Sequence, residues 1–263
     1  MSAPLDGTAP VAALVDTPAF EMSNINAGYG RIDVLRGFNL RILPGTVVAL
    51  LGPNGVGKTT ALRVAAGLLE PSSGGVSING EDVTSLPPHA RAKKGLCLIP
   101  EGRGIFRSLS VAENLRVHVP PWADQKTSLD PVLDAFPVLM DRLHQRAGSL
   151  SGGEQQMLAL ARAYLSSPKV VLFDEVSMGL APILVSEVFA AIRNIASLGA
   201  TLLIVEQYAK RAMEIADEVV LMDRGTVTFS GPPSSLDEEH LVSHYLAQGK
   251  GRMEGSTAPE ATK

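Results

Sequence analysis

Val47-Val48-Ala49-Leu50-Leu51-Gly52-Pro53-Asn54-Gly55-Val56-Gly57-Lys58-Thr59-Thr60 passes from five apolar residues, through a glycine-punctuated loop, into a lysine and two threonines. A short apolar run stopped by glycine reads as a buried strand. Beyond the loop, Leu62, Ala65, Ala66 and Leu69 recur at helical spacing. Strand, loop and helix in that order, with the spacing G-x-x-x-x-G-K-[ST], make a phosphate-binding P-loop. The glycines let backbone N–H groups converge on an anion, and the N-terminus of the helix adds its dipole. Lys58 then reaches the β- and γ-phosphates, and the Thr59 hydroxyl is placed to ligate Mg²⁺. The nucleotide-binding candidates in this stretch are Gly52, Pro53, Asn54, Gly55, Val56, Gly57, Lys58, Thr59 and Thr60.

Working outward, strands are predicted at Thr46–Leu51, Gly95–Ile99, Val170–Phe173, Thr201–Val205 and Glu218–Met222, separated by helical patterns. That alternation predicts an α/β fold with a mainly parallel sheet covered by helices. Asp223-Arg224-Gly225 is a turn signal, and Thr226–Ser230 reads as the return strand of a hairpin. Between about residues 100 and 166 the pattern is largely helical, interrupted by Val119-Pro120-Pro121-Trp122, which predicts a helical insertion with a surface loop at 120–128. Residues 1–18 and 248–263 lack periodicity and are expected to be a disordered leader and a flexible tail around an ordered domain at 19–247.

Composition narrows the function classes. The chain has 263 residues and a formal charge of −4, which gives no reason to expect nucleic-acid binding. No apolar run approaches the roughly 18 residues of a membrane span, and no export signal is evident at the N-terminus. A lone cysteine, Cys97, sits among Leu96, Leu98 and Ile99 and is expected in a core strand, fitting a reducing compartment. The histidines at 89, 118, 144, 240 and 244 show no metal-ligand spacing and are expected at surfaces or interfaces.

A second half of the site follows downstream. Val170-Val171-Leu172-Phe173-Asp174-Glu175 is a buried strand delivering two acids to the end of the sheet where ligands bind in such folds. Asp174 is expected to hold Mg²⁺ through water, and Glu175 to orient or deprotonate the attacking water. Just before that strand, Leu150-Ser151-Gly152-Gly153-Glu154-Gln155-Gln156 opens a helix whose Ser151-x-x-Glu154 spacing is a capping box. A glycine-opened helix start is also an anion site.

With the P-loop upstream and the Asp-Glu strand downstream, the Leu150–Gln156 segment resembles the signature of ATP-binding cassette ATPases over roughly Phe20–Ala247. The resemblance implies a P-loop NTPase fold with an N-terminal antiparallel β region and a helical subdomain. It also implies ATP hydrolysis, with Glu175, Lys58 and the switch position as catalytic residues. Tyr29 matches the aromatic that stacks on adenine. Ser151, Gly152, Gly153 and Glu154 match the segment that caps the γ-phosphate of ATP held by a second cassette. The implied metal set is Thr59, Asp174 and Glu101.

Three positions depart from the family pattern. Glu101 stands where a glutamine is usual, Gln207 replaces the switch histidine, and Ala181 replaces a D-loop aspartate that normally reaches across the dimer. Gln207 can bridge by hydrogen bonds but cannot carry a proton. Glu101 either ligates the ion, directly or through water, or points to solvent without nucleotide. Glu206 is expected to be a surface acid at a strand end.

Pro100-Glu101-Gly102-Arg103, Gly179-Leu180-Ala181-Pro182 and Val205-Glu206-Gln207 resemble the LivF-type branch, the ATPases of branched-chain amino acid importers. That branch implies a second cassette (identical or related), two transmembrane permease subunits, an external solute-binding protein and a cytoplasmic site on the inner membrane face. The alternatives are the same motor with urea, an amide or an aromatic acid as cargo, a soluble cassette ATPase outside transport, and a small P-loop kinase.

Overall fold

The computed structural model describes residues 17–121, 129–206 and 208–236. Nearly all of the expected leader, the tail at 248–263, Trp122, His240, His244 and Gln207 lie outside the described residues.

The chain opens with two long antiparallel strands, β1 (Phe20–Tyr29) and β2 (Ile32–Ile42), then β3 (Val47–Leu51) and α1 (Lys58–Ala65). Two more antiparallel strands, β4 (Ser73–Ile78) and β5 (Glu81–Asp82), precede α2 (Pro88–Lys93) and β6 (Leu96–Ile99). A helical stretch follows, with α3 (Val111–His118), α4 (Asp130–Ala135) and α5 (Gly152–Ser166). The chain then returns to the sheet with β7 (Val170–Asp174), α6 (Pro182–Ser197), β8 (Thr201–Val205), α7 (Ala209–Met213), β9 (Glu218–Asp223) and β10 (Thr226–Gly231).

Two sheets result. One is antiparallel, in the order β2-β1-β4-β5. The other has six strands in the order β10-β9-β3-β8-β7-β6, parallel except for the β9–β10 hairpin. All five residues of β3, β7 and β8 are buried, as expected of strands covered on both faces. The alternation of side chains divides them between two cores. Ala49, Leu51, Phe173 and Ile204 pack with α5 and α6, whereas Val48, Leu50, Leu172 and Val205 pack with α1 and the antiparallel sheet. The parallel sheet is thus clamped from both sides, and the loops at the C-terminal ends of its strands are held on a rigid base.

The six strands foreseen in the parallel sheet and its hairpin are all present, and helices fill the expected insertion. Cys97 lies in β6 opposite Val171, where burial pushes its thiol pKa up. Among the described histidines, His89 and His144 are exposed. His118 is instead half-buried, bonded to the Asn114 carbonyl at 2.7 Å and tilted against the Phe106 ring.

Arg91 shows how the P-loop helix is finished. It is 1% exposed and donates to the carbonyls of Val64 and Ala65, the last turn of α1, and to those of Thr84 and Leu86. Carbonyls that a helix end leaves without intrahelical partners are thereby satisfied by a buried cation, which also suits the dipole.

Candidate active site

The loop between β3 and α1 forms a cavity of about 450 Å³ lined by Asn54, Gly55, Gly57, Lys58, Thr59, Thr60, Glu175, Met178 and Val34. Gly57 caps α1 without any side-chain bond, and the first turn of the helix carries no acid. Its leading N–H groups and dipole therefore face the cavity without an internal anion, which suits a phosphate. Gly52 is required by close approach: a Cβ there would lie 2.3 Å from the carbonyl oxygen of Met222 at the end of β9.

Lys58 is buried, and its Nζ donates to the carbonyls of Gly52 (2.8 Å) and Pro53 (2.9 Å). Burial lowers its pKa, while the nearby carboxylates of Glu175 and Asp174 oppose that shift. The ammonium is thus already turned back over the loop that is to hold phosphate. Thr59 Oγ1 donates to Asp174 Oδ1 at 3.2 Å, joining the two segments that sequence reading assigned to the metal. Burial pushes the Asp174 pKa up to about 6, and the charges of Glu175 and Glu101 push the same way. Glu101 itself is exposed in the turn after β6, so its side chain reaches solvent while its charge is felt at Asp174.

Glu175 is the residue after β7, and its backbone lies in the left-handed region at φ 48°. Its N–H donates to Val205 O at 2.9 Å, continuing the β7–β8 pairing one step past the strand. Strained non-glycine backbone of this kind persists only where its surroundings fix it. A second cavity of about 330 Å³ also includes Glu175 in its lining, together with Glu101, Arg103, Arg107, Gln155 and Gln156 among others.

Tyr29 is half exposed at the end of β1, and its hydroxyl accepts from Arg63 Nη1 at 3.1 Å. The ring is thereby tethered to α1.

The signature segment forms a capping box. Ser151 Oγ accepts from Glu154 N, and Glu154 Oε2 accepts from Ser151 N at 2.8 Å. Glu154 Oε1 also accepts from Arg142 Nε at 3.0 Å, so its charge is paired beside the helix start. A Cβ on Gly153 would lie 2.8 Å from the Leu184 side chain of α6, so a larger residue there would require the leucine methyls to shift. Ser151 is exposed and lines neither cavity. The fold therefore brings together Lys58, Thr59, Asp174 and Glu175, and leaves the signature serine outside the pocket of its own chain.

Several partners escaped the sequence reading. Arg103 Nη1 donates to Gln155 Oε1, tying the turn after β6 to the signature helix. Asn114, fully buried, accepts from Phe106 N and donates to Phe106 O, holding the segment that follows that turn. Glu206 corrects an expectation outright. It is 1% exposed, and its carboxylate accepts from Ser177 N (3.0 Å) and Ser177 Oγ (2.5 Å). The strand end folds inward because the loop after β7 supplies two donors for the acid.

Residues 35–178, more than half of the chain, match the sequence profile of the family described as ABC transporter. This chain belongs to that family. A high-affinity branched-chain amino acid transport ATP-binding protein, BraG of Pseudomonas aeruginosa, is 37% identical over 214 residues, 81% of this chain and 92% of BraG. A probable branched-chain amino acid transport ATP-binding protein, LivF of Archaeoglobus fulgidus, is 39% identical over 86% of this chain and 96% of its own length. The lipopolysaccharide export system ATP-binding protein LptB of Acidithiobacillus ferridurans is 33% identical over 81% of this chain and 90% of LptB. Among solved structures, cbiO1 from Clostridium perfringens, part of the ABC transporter complex cbiONQ, superposes with a TM-score of 0.75 at 25% identity. That match covers 91% of this chain and all of cbiO1. The chain is an ATP-binding cassette of the ABC type, a subunit that hydrolyses ATP. Among the described residues no helix is long and apolar enough to cross a membrane.

Proposed function

We propose that this cassette powers an importer of branched-chain or related hydrophobic amino acids, paired with a second cassette beneath two permease subunits and fed by an external binding protein. The observation that carries the motor reading is the split site: Lys58, Thr59 and Glu175 line one cavity, with Asp174 bonded to Thr59, while Ser151 lies outside it. A site with its phosphate cradle in one place and its signature helix start in another is completed by a second molecule. The cargo reading is supported by the two branched-chain amino acid relatives, which exceed the LptB relative in identity.

In this reading the P-loop N–H groups and Lys58 bind the β- and γ-phosphates, and Tyr29 stacks on adenine. Thr59 and Asp174 offer hard oxygen donors 3.2 Å apart, the donor chemistry that Mg²⁺ prefers. Among the described residues no cluster of three or more His, Cys, Asp or Glu could hold a metal by itself, which fits an ion completed by phosphates and water. Such an ion would neutralise charge on the phosphates. Glu175 aligns the attacking water, and Ser151 with the N–H groups of Gly152 and Gly153 caps the γ-phosphate of the opposite cassette. Loss of that bridging phosphate reopens the pair, so hydrolysis shifts the population between closed and open forms.

Two substitutions and one uptake measurement test the proposal. Lys58→Ala should weaken ATP binding, whereas Glu175→Gln should retain ATP and lose hydrolysis by about 10²-fold or more, the usual scale of a general base. Normal hydrolysis by Glu175→Gln would show that another group activates the water. For cargo, cells carrying Glu175→Gln should lose uptake of labelled leucine; unchanged uptake, with lipopolysaccharide export impaired instead, would favour the LptB-like role.

A further inference from the structure

We infer that Glu206 is a positioning residue for ATP hydrolysis: its buried carboxylate anchors the loop after β7 and thereby fixes Glu175. The inference rests on the reading of Glu175 as the water-aligning group.

Glu175 stands in the left-handed region, a conformation that is unfavourable for a residue with a Cβ. Something must hold it there from both sides. On the N-terminal side, its own N–H is bound by Val205 O, at the last residue of β8. On the C-terminal side, the next anchor to the sheet is Ser177, two residues on, whose N–H and Oγ both donate to Glu206. Two further backbone bonds, Met178 N to Glu175 O and Leu180 N to Ser177 O, are internal to the loop. They shape the loop as a unit without tying it to β8. Val205 and Glu206, adjacent in the chain, therefore grip the segment on either side of Glu175.

A carboxylate is an expensive group to bury, since a buried charge needs hydrogen bonds that replace water. Glu206 and Ser177 are 1% and 0% exposed, so these bonds are shielded from solvent. Two bonds from one residue to one carboxyl fix its position and orientation together. They suit a part that must not shift while water is aligned, because small misplacement of a catalytic group is costly in rate. Gln207 follows Glu206 directly in the sequence.

The test is steady-state ATP hydrolysis by the full-length chain, with thermal melts as a check on folding. Glu206→Ala should lower kcat by about tenfold or more while leaving KM for ATP within about twofold, because the bonds act on the reacting step and not on nucleotide binding. Ser177→Ala should lower kcat less, since the backbone N–H remains. The double variant should be no worse than Glu206→Ala, as expected when two residues act through one contact. Glu206→Gln keeps an oxygen for the Ser177 N–H and should recover most of the rate. If Glu206→Ala does not fold, Ser177→Ala and Glu206→Gln carry the same test. Wild-type kcat in the folded alanine variants, or a loss confined to KM, overturns the inference. Glu175→Gln measured alongside separates the two levels: normal hydrolysis there removes the underlying reading, whereas an inactive Glu175→Gln beside a fully active Glu206→Ala removes only the role of Glu206.

Discussion

Asp174 is held between opposing influences. Burial raises its pKa from 3.8 to about 6, and the Thr59 hydroxyl works against that rise. Between those two values the folded chain binds a proton that the unfolded chain has released. Stability from this group is therefore gained as pH falls through that window and lost as pH rises through it. Glu113 and Glu154, whose carboxylates are held low first by the backbone N–H groups of Ser110 and Ser151, contribute with the opposite sign. The difference between wild type and Asp174→Asn isolates Asp174. In metal-free buffer, Asp174→Asn should be more stable than wild type above about pH 6, and the gap should close towards pH 4. Parallel Tm-against-pH curves would contradict the assignment. The same residue scale explains what sequence missed. An acid following an apolar strand reads as solvent-facing, and nothing local to Glu206 reveals that Ser177, 29 positions away, supplies its two donors.

Among elements, α5 does two jobs, presenting Ser151 at its start and packing the helical region onto the sheet along its length. Arg162, in its third turn, donates through Nη2 to Leu98 O at 2.7 Å and through Nη1 to Gly104 O at 3.4 Å. The signature helix is thereby bonded to the end of β6 and to the turn that carries Glu101. Replacing Arg162 by Met keeps the apolar stem and leaves the Leu98 carbonyl without this donor. That should cost roughly 1–3 kcal/mol in urea unfolding, the scale of an unsatisfied buried polar group. An unchanged midpoint would mean that the helix is held by apolar packing alone. Legibility also differed by element. The parallel strands were foreseen to within a residue or so because burial on both faces writes them as continuous apolar runs. The antiparallel strands β1, β2, β4 and β5 were not read individually. Three register shifts between β1 and β2, and Asn24 at φ 50°, break the alternation on which such a reading depends.

At the scale of the whole molecule, the proposed function requires the cassette to carry half of each of two shared sites. Lys58, Thr59 and Glu175 line one cavity, Asp174 is bonded to Thr59, and Ser151 is exposed and lines neither that cavity nor the one beside it. The P-loop and the signature were both legible, since each needs fixed residue types at short fixed spacing. That the signature serves ATP held by a second cassette followed only from the family resemblance, because spacing along the chain does not fix how the helical region packs against the sheet. The most direct test is a structure of the assembled transporter carrying Glu175→Gln with Mg·ATP bound. Ser151 Oγ of this chain should lie within hydrogen-bonding distance, about 3 Å, of a γ-phosphate held by the P-loop of the opposite cassette. If Ser151 instead faces solvent, or meets no nucleotide while ATP is bound at both P-loops, the account of a shared ATP site is wrong.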